Sequence, residues 1–418
     1  MRRILIAALG ESTGDDAVRT LLPLIAVTTL GVGGGLLGLL NALPFLWYLC
    51  AHRQIGSSVD ALGHRRSVML GNAIRVLTVG ALILLLATGH LSVLALFVLA
   101  AAIGLGDALF TTGHSAMVPA VVGRERTADC YQRIEAVSAI ARISGPAAVS
   151  VLLRLASPAI ALGLGVVAYL LSLLTLATLP RGAGGNAASA KGPGSPSTRP
   201  DVPASPAPAS ASASEWSVLR VLSTPGLGRL TLATTLLNAA AMISGTAMVL
   251  FALETLRLSP STVALLAAAG ALGALVGSAC SRPLRTRLPT GSAKLLATVG
   301  VAVSSLVAPA ALLVPAGQAV LLGGGQFLIA ASATASAIVG SDVPARLIPQ
   351  SHLGRAFAAI RLLTIGVMPV ASVLGGLLIA LTSPVVALLG AVGIATLACL
   401  PLVRIRHWSP PPPAEEPT

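Results

Sequence analysis

Charge is scarce in this sequence: only 10% of its 418 residues are Asp, Glu, Lys or Arg, whereas about a quarter of a soluble domain is charged. A water-covered globular surface of that size is therefore excluded. Aromatic residues are rarer still, at 3%, so platforms for stacking bases or planar ring systems are poorly provided. The arginines sit at the ends of apolar runs rather than among aromatics, so the formal net charge of +13 does not describe a nucleic-acid surface. Lysine is nearly missing beside abundant arginine, being confined to Lys191 and Lys294. The cysteines Cys50, Cys130, Cys280 and Cys399 are far apart and lack metal-ligand spacing, so no metal is expected. No phosphate loop G-x-x-x-x-G-K-[ST] occurs, which excludes direct coupling to ATP. Neither an enzyme nor a cofactor is expected.

What the chain has in abundance is apolar length. Hydrophobic residues make up 55% and the mean hydropathy is +0.89. A bilayer-crossing helix needs about 20 mostly apolar residues, and there is material for about a dozen. The runs are long and unbroken, unlike the alternating segments of about ten residues in a membrane barrel. The expected fold is an all-α membrane protein with twelve transmembrane helices in two six-helix bundles. The spans fall at about 4–29, 36–55, 67–88, 93–112, 130–155, 159–179, 227–255, 262–280, 295–314, 318–339, 356–381 and 385–403. The opening MRRILIAALG imitates a secretory signal, yet its apolar run ends at Glu11, and it serves better as half of the first span.

Residues 181–214, rich in Gly, Ala, Ser and Pro, hold almost no apolar residue larger than Ala and bury too little surface to order themselves. They divide the chain into a first bundle over 1–180, a flexible linker over 181–224, a second bundle over 225–406 and a tail over 407–418. Trp216, Leu219 and Leu222 share one side of a helix near the linker's end, suited to lying along a membrane surface or to opening the seventh span. Short loops rich in Arg and Lys stay on the cytoplasmic side. The basic stretches 56–66 and 281–294, together with Arg346, Arg355, Arg404 and Arg406, then place both termini inside. The corresponding location is the inner, cytoplasmic membrane of a bacterium, as a multi-pass monomer in direct contact with the lipid bilayer.

Between the second and third spans stands GSSVDALGHRR, in which Gly56, Asp60, Gly63, Arg65 and Arg66 follow the pattern G-x-x-x-D-x-x-G-x-R-R. This resembles the loop between helices 2 and 3 of the major facilitator superfamily, with Ala61 and His64 where basic residues usually stand. The resemblance implies alternating access between two bundles, with Asp60 docking near the start of helix 11 to close the cytoplasmic side. Gly56 and Gly63 would permit a tight turn, and Arg65 and Arg66 would pin it to headgroups. The stretch 105–147 further resembles the drug-efflux branch that includes macrolide and enterobactin exporters. Its matching residues are Gly106, Pro119, the charged 124–126 loop and the pair Gly145 and Pro146, which would interrupt helix 5. Val149 and Ser150 replace a Gly-Gly of that pattern, and Ile103 stands near a position often held by Arg.

A charge inside a span costs about 2.5–3.5 kcal/mol on insertion scales, so it faces a cavity or a partner. Glu11, Asp15 and Arg19 recur at i, i+4 spacing along one face of the first span, and Asp16 lies about 100° round from Asp15. Either this stripe lines a cavity, with Asp15 or Glu11 exchanging a proton, or it is a fixed ion-pair ladder. Asp107 is a second candidate acid, with Arg75 or Arg142 as a fixed partner in the alternative; Arg142 also sits seven residues after Glu135. Asn41 and Asn238 could hydrogen-bond a substrate or join helices. The expected function is secondary transport: export of a hydrophobic or amphipathic small molecule in exchange for protons. A proton-coupled importer, or a membrane sensor or assembly component without transport, would share these features.

Overall fold

The computed structural model describes residues 2–123, 126–178, 218–314, 316–348 and 350–410, and these are almost entirely helical. The first group of helices is α1 (Arg2–Leu30), α2 (Gly34–Cys50), α3 (His52–Leu62), α4 (His64–Ala87), α5 (Val93–Val122), α6 (Thr127–Leu155) and α7 (Pro158–Ala177). After the segment outside the described residues come α8 (Val218–Ser223) and α9 (Leu227–Leu250), the latter continued by a π turn over Phe251–Thr255. Then follow α10 (Pro260–Arg287), α11 (Thr290–Ser305), α12 (Val307–Ala310), α13 (Gln318–Ile338), α14 (Val343–Leu347), α15 (Gln350–Leu381), α16 (Pro384–Leu397) and α17 (Leu400–Val403).

Ends and starts follow local chemistry. Ser92, Ser157, Ser259 and Ser383 each accept a backbone N–H from the first turn of the next helix, and three of these helices carry Pro in that turn, where no N–H is missed. Among the described residues ten helices are long and apolar enough to cross a membrane. The first two expected spans fall outside that set for different reasons. Helix α1 is 29 residues long but carries six charged residues, and α2 has 17 residues before the chain breaks at Ala51.

That break corrects one expectation. The stretch around Gly56 is not a turn: α3 is helical from His52 to Leu62, and Gly56 lies inside it with open space where a Cβ would stand. The reversal happens at Gly63 alone, whose φ of 83° suits a residue without a Cβ. Ile55 and Val59 hold α3 against Ala108 and Leu109 of α5. A second correction concerns Gly145 and Pro146: α6 runs unbroken through both to Leu155. Proline inside a membrane helix is tolerated where neighbours satisfy the freed groups.

Helix α1 packs on α6 and α7, and α4 packs on α5 and α7; later in the chain α9 packs on α15 and α16, and α10 and α11 pack on α13. Close approach is set by small residues. A Cβ on Gly71 would stand 2.9 Å from the Phe110 nitrogen, and one on Gly273 or Gly277 would strike the backbone of Phe327 or Ala331. The two sets of helices meet along α2 against α15 and α6 against α10.

Around Trp408 the chain is docked rather than free. Its ring occupies the space a side chain would need at Gly226, which has φ 77°, and its carbonyl accepts the Gly291 N–H at 3.0 Å. Of the expected surface helix near the linker's end, Trp216 lies outside the described residues. In α8 Leu219 and Leu222 are exposed and Val221 is buried.

Candidate functional site

Among the described residues Arg75 of α4 heads the large side chains that are fully buried. A lone guanidinium there would be strongly destabilising, and the surrounding helices supply its partners. Its Nη1 lies 3.2 Å from Asp15 Oδ1 and 3.5 Å from Glu11 Oε1, both on α1, while Nη2 lies 2.9 Å from Asp107 Oδ1 on α5. The rings of Phe110 and Tyr169 face the guanidinium carbon at 5.0 and 5.2 Å, a placement that favours a cation electrostatically. The Tyr169 hydroxyl donates to Asp15 Oδ1 at 2.7 Å. Close helix contact makes this geometry: a Cβ on Gly14 would fall within 3 Å of the Tyr169 ring, and one on Gly106 would stand 2.8 Å from Arg75 Cγ.

Arg19 closes the cluster from the open side. Its side chain is 67% exposed, and its guanidinium lies 4.0 Å from Asp15 and 3.8 Å from Asp107, too long for hydrogen bonds. Three carboxylates thus share two guanidiniums, leaving one negative charge over. Glu11 is the acid held least by the guanidiniums, through one 3.5 Å contact to Arg75, and it also shares a side-chain hydrogen bond with Asp15.

Two adjoining cavities of about 400 and 340 Å³ open beside Arg19, and Arg19, Pro23, Asn41 and Gly245 line both. The larger is lined also by Asp16, Arg142, Pro146 and Gln326, and the smaller reaches Asp107. Their remaining walls are mostly apolar, with Leu22, Leu40, Phe45 and Met242 on one side and Met248, Val249, Val263 and Leu266 on the other. Gly145 lets α6 lie close to α1, since its Cβ would be 3.2 Å from that of Asp16.

The other expected residues are dispersed. Arg142 reaches the larger cavity while pairing with Glu135 at 3.1 Å. Asn41 donates to Thr246 Oγ1 at 3.2 Å across the two helix sets. Asn238 does not line either cavity: its amide donates to the Thr364 carbonyl at 2.8 Å, because it faces α15 and a backbone acceptor satisfies it there. Asp60 is exposed on α3. Arg65 donates to the Ala177 carbonyl at 2.7 Å, capping the end of α7, and Arg66 is exposed. Tyr169 and Asn72 went unnoticed in the sequence; a lone polar atom inside an apolar run was the signal for each. Asn72 is fully buried and donates to Ser172 at 2.8 Å.

One end of the molecule is sealed. Besides the Asn41 contact, Ser372 donates to the Gly38 carbonyl at 2.8 Å, and Ser150 to the Ser261 carbonyl at 2.7 Å. Gly38 and Gly376 touch so closely that a Cβ on the first would stand 2.8 Å from the Cα of the second. All these contacts lie in the half of the bundle facing residues 31–33, 156–157 and 382–383. Among the described residues no side-chain hydrogen bond joins the two helix sets at the opposite end, where Arg65, Arg66, Arg285, Arg346 and Arg406 stand.

The Major Facilitator Superfamily model matches residues 4–344. No curated protein matches the sequence. Among solved structures, a bacterial homologue of iron transporter ferroportin in the inward-facing state aligns over 96% of this chain and 97% of its own, at 16% identity and TM-score 0.70. The structure of such a homologue in the outward-facing state covers 96% and 98%, at 15% identity and TM-score 0.56. The nucleoside transporter NupG aligns over 96% and 98%, at 13% identity and TM-score 0.71.

Proposed function

The chain belongs to the major facilitator superfamily, a family of membrane transporters for small molecules, and from that premise we propose that it exports a hydrophobic or amphipathic compound in exchange for protons. The observation that carries this reading is the unequal ion cluster, three acids against two arginines, at the edge of cavities with mostly apolar walls. We assign the exchanged proton to Glu11, whose charge has the weakest compensation. Asp15 and Asp107 hold Arg75 and Arg19 in place. A proton on Glu11 balances the cluster; its loss leaves a net negative charge that draws on Arg19, the one cluster member reaching into both cavities. Proton and cargo thereby act on a shared side chain, which is the differential contact that coupling requires.

Helices α1 and α2 complete twelve spans in this reading, since within α1 Glu11 and Asp15 face Arg75 while Asp16 and Arg19 face the cavities. The basic loops lie in the cytoplasm with both termini, in the inner membrane of a bacterium, and the monomer is the working unit. The seal at the opposite end then makes this the inward-open state. The higher TM-score against the inward-facing ferroportin homologue supports that assignment. The outward-open state would form by rocking the two helix sets until Asp60 approaches the start of α15.

The test is accumulation of labelled antibiotics, dyes and bacterial metabolites in pump-deficient cells expressing the wild type or Glu11→Gln, with and without an uncoupler. Lower accumulation of some compound, abolished by uncoupling and by the mutation, is expected. Raised accumulation, or export insensitive to the uncoupler, would contradict proton-driven export.

A further inference from the structure

Among the described residues, the charged side chains lining the two cavities are Asp16, Arg19, Asp107 and Arg142. Three are engaged: Asp107 with Arg75, Arg142 with Glu135, and Arg19 between Asp15 and Asp107. Asp16 is the exception. Its carboxylate has no hydrogen bond and no ion pair among the described residues, and Arg19 and Arg142 act on it only from farther away. Neither of its oxygens is closed off inside the protein, so both meet the open space of the larger cavity. Two neutral groups share that space in the same condition. The Gln326 amide of α13 makes no hydrogen bond among the described residues, and Asn41 of α2 uses its nitrogen on Thr246 and leaves its oxygen over.

Charge and desolvation select what can fill the cavity. Counted with the groups that hold them, the ions around it are the acids Glu11, Asp15, Asp16, Asp107 and Glu135 against the arginines Arg19, Arg75 and Arg142. A proton on Glu11 cancels one of the two surplus negative charges, and the other stays on Asp16. An apolar molecule entering the cavity strips water from that carboxylate, which is costly unless the molecule brings a positive charge. An anion would have to compete with Glu135 for Arg142, or with Asp15 and Asp107 for Arg19. The kind of cation follows from the lining too. No Phe, Tyr or Trp lines the larger cavity among the described residues, so the aromatic faces that recognise a quaternary ammonium are missing. What the cavity offers is oxygen: the Asp16 carboxylate and the amide oxygens of Asn41 and Gln326, acceptors for the N–H groups of a protonated amine.

We propose that the site takes an amphipathic amine: a protonated primary or secondary ammonium held by Asp16, with Asn41 and Gln326 as further acceptors, and an apolar body against Met248, Val249, Val263 and Leu266. That this ligand is the cargo rests on the exporter reading above; the sign and chemistry of the site do not. The cavities, of about 400 and 340 Å³, are of the size that holds a small drug-like molecule. Asp16 belongs to the first helix set, and Gln326 with the apolar wall to the second. A bound amine therefore touches both of the bodies that rock.

The experiment places a reporter thiol, Thr20→Cys, in the same cavity one turn from Asp16. Its modification in the purified full chain is read by mass spectrometry, so the native cysteines stay in place. Two methanethiosulfonates are compared, one carrying trimethylammonium and one sulfonate, each normalised to its rate with free mercaptoethanol. The cationic reagent is expected to react about ten-fold faster. Adding Asp16→Asn should lower that ratio several-fold, and Asp16→Glu should keep it. A ratio of one or less, or one that Asp16→Asn leaves unchanged, would overturn the site. Ligand chemistry is read as protection of the same thiol from N-ethylmaleimide by compounds sharing one rigid apolar cage: 1-adamantylamine, its N,N,N-trimethyl derivative, 1-adamantanol and 1-adamantanecarboxylate. The amine is expected to protect at a several-fold lower concentration than the other three. Equal protection by the trimethyl compound would overturn recognition through ammonium N–H groups. Equal protection by the alcohol or the carboxylate, or none by any of them, would overturn the amine altogether. Neither readout needs a gradient, so export that proves insensitive to an uncoupler would contradict proton exchange and leave this result standing.

Discussion

The two helix sets share an architecture and differ in what they bury. In the first, the fully buried Arg75 meets Glu11, Asp15 and Asp107 under two aromatic rings. In the second, the buried cation is Lys294, 3% exposed, whose Nζ meets the Ser336 carbonyl at 2.7 Å. Ser336 lies in the last turn of α13, where carbonyls lack helical donors and a cation is favoured by the helix end. Lys294 therefore has a structural explanation that is complete without an acid. The ions of the first set do not: they leave a charge over and open onto cavities. In the proposed reading the proton chemistry belongs to the first set, and the second contributes mostly apolar wall, with Gln326 and Thr246 as its polar lining.

Arg75→Leu should break this contrast most severely. It leaves three acids without their shared partner, and losing one side of a buried ionic set costs about 3–5 kcal/mol. Thermal unfolding in detergent should show a large loss of stability, and a variant as stable as wild type would mean the acids do not depend on Arg75. Next is Tyr169→Phe, which deletes the donor to Asp15; hydrogen bonds to charged groups are worth about 1.5–3 kcal/mol, so a smaller but clear drop is expected in the same assay. Gly38→Val acts on the seal rather than the ions. The added side chain wedges α2 from α15 and should shift the open population about tenfold, or about 1.4 kcal/mol. Spin labels at the exposed Leu36 and Leu381 would lengthen in distance, and an unchanged distribution would discount the seal. Lys294→Met should do least. Replacing a buried charge by an apolar chain of similar size is near neutral, within about 1 kcal/mol, and transport should persist.

Much of this cluster was legible because charge within an apolar run is rare and helical spacing is strict. Glu11, Asp15 and Arg19 had to share a face, and an acid at Asp107 required a cation such as Arg75. Tyr169 could not be read: it stands 154 positions from Asp15, and an aromatic in an apolar span looks like packing. Asn238 was ambiguous for a related reason, since an amide satisfies itself on a neighbouring carbonyl as readily as on a substrate. Gly56 misled because a glycine next to charges suggests a turn, whereas Ile55 and Val59 of α3, packed against α5, favour continuing the helix. Pro146 suggested a break that the packing of α6 against α1 and α10 overrides.

The central claim, that the first helix set holds the coupling proton on Glu11, is tested most directly in proteoliposomes carrying Glu11→Gln. Cargo identified from the accumulation panel is measured twice, as exchange at equal concentrations without a gradient and as net movement driven by an imposed pH gradient. The account predicts that exchange continues while gradient-driven movement is lost. Both continuing at wild-type rates would contradict it.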